Sequence, residues 1–99
     1  MPHKILILPR ARYDKIDVWL NIAQDSVSAA DRQIDRIDQA LQRLADYPES
    51  GALREALGAG IRIVPVDNFV LFYRIKDRTV EIVRVLHAAR DIRPELLND

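Results

Sequence analysis

The sequence contains no cysteine, only three glycines and no surplus of either charge among its 99 residues. Without cysteine, the chain can form no disulfide bond and offers neither a thiolate nucleophile nor a cysteine-ligated zinc site. Fifteen basic residues balance fifteen acidic residues. This balance argues against a general nucleic-acid coat protein, because such proteins need a basic surplus to displace counterions from phosphates. No apolar run approaches the roughly 18 to 20 residues of a membrane span.

The composition is that of an ordinary soluble domain. An apolar fraction of 48% and a charged fraction of 30% are typical of a globular protein. A chain of 99 residues suffices for one core, so we expect a single domain over residues 1–99. The N-terminus has an apolar run of only four residues and no small-residue cleavage site, so we predict no signal peptide. A cytoplasmic location without membrane contact is the expectation.

The charges are unevenly distributed along the chain. Residues 14–49 contain eight acidic and four basic side chains, whereas residues 54–93 contain eight basic and five acidic ones. Twelve of the fifteen basic residues are arginine, the side chain best suited to planar, bidentate contacts with carboxylates and phosphates. This asymmetry indicates a partner surface, and two solvated faces are the alternative.

The first third of the chain predicts one strand followed by one helix. Residues 5–8 form a continuous aliphatic run that ends at Pro9, which is typical of a strand buried on both faces. Pro9 can then open a helix, where its missing N–H costs nothing. Over residues 10–24 the apolar side chains recur at intervals of three and four, which predicts one helical stripe. Its members are Tyr13, Ile16, Leu20 and Ala23.

A second helix is predicted from Ser28, as its N-cap, to about Asp46. Its apolar stripe is the most regular in the sequence and comprises Ala30, Ile34, Ile37, Leu41 and Leu44. Because the joint between the two helices is short, we expect them to pack as an antiparallel hairpin. The charged outer face of this hairpin is expected to be solvated.

The last part of the chain predicts three consecutive strands. Residues 61–66, 69–75 and 79–87 are rich in β-branched and aromatic side chains and are separated by turn residues, which favours an antiparallel meander. Pro65 places its strand at an edge or a bulge. Residues 49–60 contain all three glycines but no phosphate-binding motif, and we expect a loop with at most a turn of helix. The fold class is therefore α+β in the order β-α-α-β-β-β.

Few residues in this sequence suit catalysis. The three serines lie at a joint or a turn, where capping is their ordinary role, and the two histidines have no ligand spacing. We therefore expect no metal and no cofactor. What remains is Arg62, Arg74 and Arg84, one in each C-terminal strand. Arginines within apolar strands need a carboxylate partner, a rim position or an anionic ligand, and only the strand register decides whether the three converge.

Two further side chains lie close to the last strand. His87 closes it, and Arg90 follows it directly. A histidine in this place suits general acid–base chemistry near neutral pH, although a structural role is the more frequent one for a lone histidine.

These segments resemble one known family over nearly the whole chain. The likeness is carried by FVLFYR at residues 69–74 and VEIVRVLHAARD at residues 80–91, together with LPRA at 8–11, Trp19 and the LADYP sequence at 44–48. These motifs are similar to those of the ParE toxins of the RelE/ParE superfamily. The resemblance implies the β-α-α-β-β-β layout and a small bacterial toxin of a type II toxin–antitoxin pair.

The same resemblance implies two partners. One is a ParD-type antitoxin, whose C-terminal segment wraps the toxin and whose N-terminal part binds operator DNA, so that this chain itself reads no DNA sequence. The other is DNA gyrase, which such toxins stall without catalysing a reaction. Residues expected to contact target or antitoxin are Arg62, Arg74, Arg84, His87, Arg90, Asp91, Trp19 and Leu20. Burial of Trp19 and Leu20 in the core of the hairpin is the alternative for those two residues.

Two other functions stay open at this point. A RelE-type endoribonuclease cuts mRNA on the ribosome, and Arg62, Arg74, Arg84 and His87 would be its catalytic groups here. The zero net charge and the absence of tyrosine from residues 88–99 weaken that reading. A protein-interaction module without toxicity is the third possibility. For the gyrase inhibitor, we expect Arg84→Ala to lower toxicity while the chain still folds.

Overall fold

The structure, a computed structural model, describes residues 2–98 as two helices and a five-stranded sheet. The first half contains β1 (Lys4–Ile7), α1 (Pro9–Ala23) and α2 (Val27–Asp46). The second half contains β2 (Ala52–Leu53), β3 (Arg62–Val66), β4 (Phe69–Lys76) and β5 (Thr79–His87), with single 3₁₀ turns at Glu55–Leu57 and Pro94–Leu97. Within residues 2–98 no helix is long and apolar enough to cross a membrane.

The sheet confirms the α+β class and differs from the predicted sheet in detail. Its strand order is β1-β5-β4-β3-β2, and β1 runs parallel to β5 while the other neighbours are antiparallel. The sheet is therefore mixed, and β2 is a strand that the glycine-containing loop did not predict. Two residues of β2 pair with the start of β3, so the part of β3 around Pro65 keeps a free outer edge, as proline requires.

The first strand is buried on one face only, which corrects the expectation of a strand buried on both. Exposure alternates along β1, and Leu6 retains 43% of its surface, while Ile5 and Ile7 pack against the core under the helices. The physical reason is that β1 is the end strand of the sheet and the helices cover only one of its faces.

The buried face of α1 also differs from the predicted stripe. Tyr13, Ile16 and Leu20 keep between 51% and 69% of their surface, whereas Ala11, Asp14 and Val18 are buried. Those three residues recur at intervals of three and four and face β5, so the helix is rotated relative to the apolar pattern. Packing against the sheet buries the face of α1 that carries the smaller side chains. The apolar stripe is left at the surface.

The second helix is close to its prediction, with one correction at its start. Ser26, not Ser28, is the N-cap, because its hydroxyl accepts a hydrogen bond from the N–H of Ala29 at 3.1 Å. Ile37, Leu41 and Leu44 are buried as the stripe predicted. The joint between the helices is one residue shorter than expected. The two helices pack against each other.

The two faces of the sheet carry separate cores. Leu71, Tyr73 and Ile82 pack under the helices. On the other face Phe72 packs with Leu97, a residue of the C-terminal turn that covers this side. The C-terminal segment, with its short 3₁₀ turn at Pro94–Leu97, thus closes the second core.

Candidate functional site

The most buried charged contact of the chain joins α1 to the last strand. The side chains of Asp14 and Arg84 form two hydrogen bonds, Nε to Oδ2 at 2.7 Å and Nη2 to Oδ1 at 2.9 Å, and both residues are at least nine-tenths buried. The remaining Nη1 donates to the carbonyl of Leu96 at 2.7 Å. The hydrogen bonds with Asp14 raise the pKa of Arg84 further above its ordinary value. Arg84 therefore holds a helix, a strand and the C-terminal turn together.

The position of Asp14 follows from the way the first strand ends. The N–H of Leu8 still bonds to Ile82 of β5, but Pro9 then turns the chain into α1. From this point, within the described residues 2–98, β5 has no neighbouring strand on that side. The carboxylate of Asp14 takes the place of the missing strand and accepts the N–H of Val85 at 3.0 Å.

Arg62 and its cross-strand neighbour Tyr73 hold the loop that follows α2. Nη1 of Arg62 donates to the carbonyls of Glu49 and Gly51 at 3.1 and 2.8 Å. The hydroxyl of Tyr73 donates to the carbonyl of Pro48 at 2.7 Å and accepts the N–H of Gly51 at 2.9 Å. Burial raises the pKa of this hydroxyl, and the hydrogen bond from Gly51 partly opposes that effect. Arg62 thus stabilises the loop that follows α2.

Arg74 is paired on the opposite face of the sheet from Arg62. Tyr73 lies directly across from Arg62, so the next residue along the strand points the other way. Nε of Arg74 is 2.7 Å from Oε1 of Glu81, its cross-strand partner in β5. The register therefore does not bring the three strand arginines together: each has its own partner in a different part of the fold.

A cleft of about 620 Å³ opens where the joint between the helices faces the end of β5, and we call it the His87 cleft. Its apolar floor is formed by Val18, Ile22, Phe69 and Leu86. Its polar rim carries the side chains of Asp17, Asn21, Asp25, Gln33, Asn68, His87 and Arg90. Of the residues expected to contact a target, His87 and Arg90 are thus neighbours on one surface.

His87 is fixed at the rim by two contacts. Its ring meets Phe69 edge-on, with 5.3 Å between ring centroids, and its Nδ1 accepts the N–H of Ala89 at 3.0 Å. That bond uses Nδ1 as an acceptor, so in the neutral ring Nε2 carries the proton. Arg90 is exposed beside it, and Asp91 is held by Arg93 at 3.0 Å. His87 and Arg90 are therefore the accessible polar groups of this turn.

The charges of the His87 cleft are mainly negative. Asp17 and Asp25 are exposed, and within residues 2–98 neither carboxylate has an ion pair. Arg90 is the cation that the rim contributes. The part of the chain that the structure describes holds no group of three acidic or histidine side chains placed to bind a metal. The cleft therefore suits a protein segment better than a polyphosphate chain.

A second depression, of about 440 Å³, lies on the other side of α1, and we call it the α1 groove. It is lined by Ile7, Arg12, Lys15, Ile16, Trp19 and Ile34. Trp19 is half-buried, and its Nε1 donates to Asp31 at 2.9 Å. Leu20 is 51% exposed on the same helix, so the predicted alternative of its burial in the hairpin core is wrong. The groove is apolar, with Arg12 along it and with Lys15 paired to Asp38 at 2.7 Å.

The comparisons with known proteins agree with this architecture. Residues 5–92 match the family model described as the ParE toxin of the type II toxin–antitoxin system parDE. The chain belongs to the ParE toxin family. It is 42% identical over 81 residues to "Toxin RelE2" of Caulobacter vibrioides, covering 82% of this chain and 90% of that protein. It is 34% identical over 88 residues to "Toxin ParE1" of the same organism, covering 88% and 91%.

Solved structures carry the same fold as this toxin. A chain of the chromosomal ParDE system of P. aeruginosa aligns with a TM-score of 0.74 at 17% identity, covering 86% of this chain and 95% of that one. A chain of the RelBE2 toxin–antitoxin complex of Mycobacterium tuberculosis aligns with a TM-score of 0.62 at 27% identity, covering 88% and 99%. The protein is thus a toxin of a type II toxin–antitoxin system, of the ParE/RelE family.

Sequence reasoning missed two groups of residues on this toxin. Asp14 was not singled out, although its spacing from Ala11 and Val18 marks the buried face of α1 and a carboxylate there needs a partner. Arg12 and Lys15 of the α1 groove were also missed, because cations on an exposed helix face are ordinary in sequence and become a feature only beside Ile7 of β1 and Ile34 of α2.

Proposed function

We propose that this toxin inhibits DNA gyrase by binding it, and that a ParD-type antitoxin neutralises it. The observation that carries the first part is the dispersal of the candidate ribonuclease groups. Arg62, Arg74 and Arg84 are each bound to a different internal partner, and the ring of His87 contacts Phe69 and the N–H of Ala89 instead of an arginine. Phosphodiester cleavage needs an acid, a base and a phosphate clamp within reach of one substrate. Inhibition of a target by binding does not require these side chains to lie together.

The His87 cleft is the surface we assign to gyrase. It combines an apolar floor with hydrogen-bonding and charged groups at its rim, which is the usual composition of a protein interface. His87 and Arg90 lie on one exposed turn after β5, and Asp91, which is paired with Arg93, follows them. Arg84 acts beneath this surface, since its side chain fixes the strand on which the turn is built.

The α1 groove is the surface we assign to the antitoxin. Ile16 and Leu20 of α1 are more than half exposed, and the groove beside them is apolar. Arg12 and Lys15 border it. Lys15 is already paired with Asp38 at 2.7 Å, so an amphipathic helix with apolar residues toward the groove and acidic residues toward Arg12 fits this surface.

The decisive experiment uses toxin separated from its antitoxin and refolded, mixed with purified gyrase, ATP and relaxed plasmid. We expect loss of supercoiling and, after detergent and protease treatment, accumulation of linear plasmid. Addition of the antitoxin should restore supercoiling. Gyrase that supercoils at the same rate with a large excess of folded toxin contradicts the proposal.

A ribosome-dependent endoribonuclease is the second candidate, and the 42% identity to a protein named RelE2 favours it. It is tested by adding the same toxin to programmed ribosomes and mapping cuts in the mRNA. Cuts that disappear in His87→Gln, with gyrase unaffected, support this second function. A protein without toxicity is recognised by unimpaired growth when the folded chain is produced without its antitoxin.

A further inference from the structure

Each of the three residues that follow β5 has an acceptor for its backbone N–H. The N–H of Ala88 donates to the carbonyl of Asn68 at 2.8 Å. The N–H of Ala89 donates to Nδ1 of His87 at 3.0 Å, and the N–H of Arg90 donates to the carbonyl of His87 at 3.0 Å. His87 therefore accepts two of these three hydrogen bonds, one through its ring and one through its backbone.

The bond from Ala89 to the ring closes a small loop over residues 87–89. Asparagine and aspartate close loops of the same size when their side-chain oxygen accepts the N–H two residues further on, and such loops stabilise turns. An imidazole nitrogen without a proton is an acceptor as well. The ring of His87 therefore holds residues 87–90, which we call the His87 turn, in the same way.

The ring is held in this orientation by its cross-strand neighbour. Phe69 lies opposite His87 in the pairing of β4 with β5, and the two rings meet edge to face with 5.3 Å between their centroids. Phe69 also forms part of the floor of the His87 cleft. The conformation of the turn is thus connected to the cleft by direct contact between side chains.

Arg90 is the charged side chain that the His87 turn presents to a partner. It is exposed at the rim of the His87 cleft, and within residues 2–98 its guanidinium has no ion pair. A guanidinium binds a carboxylate through two parallel hydrogen bonds, a contact that demands correct placement of the whole residue. A turn that is ordered before binding lowers the entropic cost of this contact.

We propose that His87 is a positioning residue for gyrase inhibition, and that its ring holds the His87 turn in the shape that presents Arg90 to a carboxylate of gyrase. This inference rests on the proposed function and deepens it. The role depends on Nδ1 as an acceptor and involves no proton transfer. A ribonuclease would instead use the imidazole as an acid or a base, so the two roles predict different effects of replacing the ring.

Two replacements of His87 separate these roles. His87→Ala removes the acceptor, whereas His87→Asn keeps a side-chain acceptor for the N–H of Ala89 but cannot transfer a proton. We expect His87→Ala to raise the toxin concentration needed for half-inhibition of supercoiling about fivefold, the effect of one lost hydrogen bond. His87→Asn should return this concentration to within about twofold of the wild-type value. Failure of His87→Asn to recover any inhibition overturns the proposal, because it assigns the effect to the imidazole itself.

A double-variant cycle tests whether His87 acts through Arg90. In toxin that already carries Arg90→Ala, the additional change His87→Ala should not reduce inhibition further, because the side chain that His87 positions is gone. Circular dichroism shows that all variants are folded at the assay temperature. Equal losses from His87→Ala in the presence and absence of Arg90 overturn the route through Arg90.

Amide exchange with solvent, followed by nuclear magnetic resonance, examines the turn without gyrase. The N–H of Ala89 should exchange about threefold faster or more in His87→Ala than in the wild type, because it has lost its acceptor, and His87→Asn should slow it again. The N–H of Ala88 is the internal reference, since its bond to Asn68 exists in all three proteins. Exchange of Ala89 that is the same in wild type and His87→Ala overturns the positioning role.

The outcomes keep this inference apart from the proposed function. Inhibition of gyrase by wild-type toxin, with equal inhibition by His87→Ala, overturns the role of His87 and leaves gyrase as the target. Wild-type toxin without effect on gyrase overturns both. Loss of inhibition in His87→Ala, recovery in His87→Asn and the absence of a further loss beside Arg90→Ala together support the proposal.

Discussion

The carboxylate of Asp14 accepts two hydrogen bonds from the guanidinium of Arg84, seventy residues away in the chain, at 2.7 and 2.9 Å. The same carboxylate accepts the N–H of Val85 where β5 has lost its neighbouring strand. One ion pair therefore closes the sheet edge, holds α1 and, through the carbonyl of Leu96, holds the C-terminal turn. Arg84 is a positioning residue beneath the His87 cleft.

Arg84→Ala should lower the free energy of unfolding of the toxin, which revises the expectation that this variant folds normally. Removing the arginine leaves Asp14 buried without its counter-charge, and such losses cost about 3–5 kcal/mol in the free energy of unfolding. Denaturant unfolding followed by circular dichroism measures the change. Arg74→Ala, which breaks a partly exposed pair with Glu81, is the control and should cost about 1 kcal/mol or less.

The double variant Asp14→Ala/Arg84→Ala should be more stable than the sum of the two single losses predicts, because neither charge is then left alone. Additive losses would show that the two side chains act independently. Reduced toxicity of Arg84→Ala is informative only at a temperature where that variant is folded.

Tyr73→Phe should destabilise the toxin and change its response to alkali. The variant leaves the N–H of Gly51 and the carbonyl of Pro48 without their partner, at a cost of about 1–3 kcal/mol. In the wild type burial raises the pKa of Tyr73 above its ordinary value of 10.0. The folded state therefore holds this proton more tightly than the unfolded chain, so stability is complete below about pH 10 and falls as pH rises toward and through the folded pKa.

Ultraviolet titration checks this behaviour. Because burial raises the pKa of Tyr73, its ionisation should give a delayed component in the titration of the wild type. In Tyr73→Phe the delayed component should vanish and the alkaline loss of stability should be shallower. Identical titration curves for the wild type and a folded Tyr73→Phe, apart from the lost chromophore, would contradict the assignment.

Ile16→Asp should abolish or greatly weaken antitoxin binding without unfolding the toxin. Ile16 is 53% exposed at the α1 groove, so its replacement removes an apolar contact and adds a charge where an apolar helix face docks. Calorimetry measures the affinity, and we expect a loss of about 2 kcal/mol or more. Val27→Asp, on a similarly exposed residue at the start of α2, is the control. Equal binding by both variants would place the antitoxin elsewhere.

Arg90→Glu should reduce gyrase inhibition about tenfold while leaving the melting temperature and the antitoxin affinity unchanged. Arg90 is exposed at the His87 cleft, and a rim charge acts mainly on association and orientation. The supercoiling assay with titrated toxin gives the inhibitory concentration. Arg32→Glu, an exposed reversal on α2, is the matched control. Equal inhibition by Arg90→Glu and wild type would remove this turn from the gyrase surface.

The local sequence pattern was sufficient to predict most of the helices and strands. The stripe of α2, the turns near Asp67 and Asp77, the start of α1 at Pro9 and the edge position of Pro65 each depend on residues close together in the chain, and the structure contains them. The sequence motif around His87 was sufficient to identify the family. The short strand β2 was missed because two residues carry no periodicity of their own.

The positions of the charged side chains required the tertiary structure. Whether Arg62, Arg74 and Arg84 converge depends on strand register, including the shift at Phe72 and Tyr73 that places Arg84 opposite Phe72. No local pattern encodes that register, since it is fixed by packing between distant segments.

The sequence by itself determined the order of the two helices and the four longer strands, the α+β class and the membership in the ParE family, because periodicity, turn chemistry and motifs are properties of neighbouring residues. Only the tertiary structure decided which side of α1 is buried. The small side chains around Asp14 pack on β5, and the larger apolar residues such as Ile16 remain outside. That choice follows from the close approach of helix to sheet, and it leaves an apolar surface free for a partner.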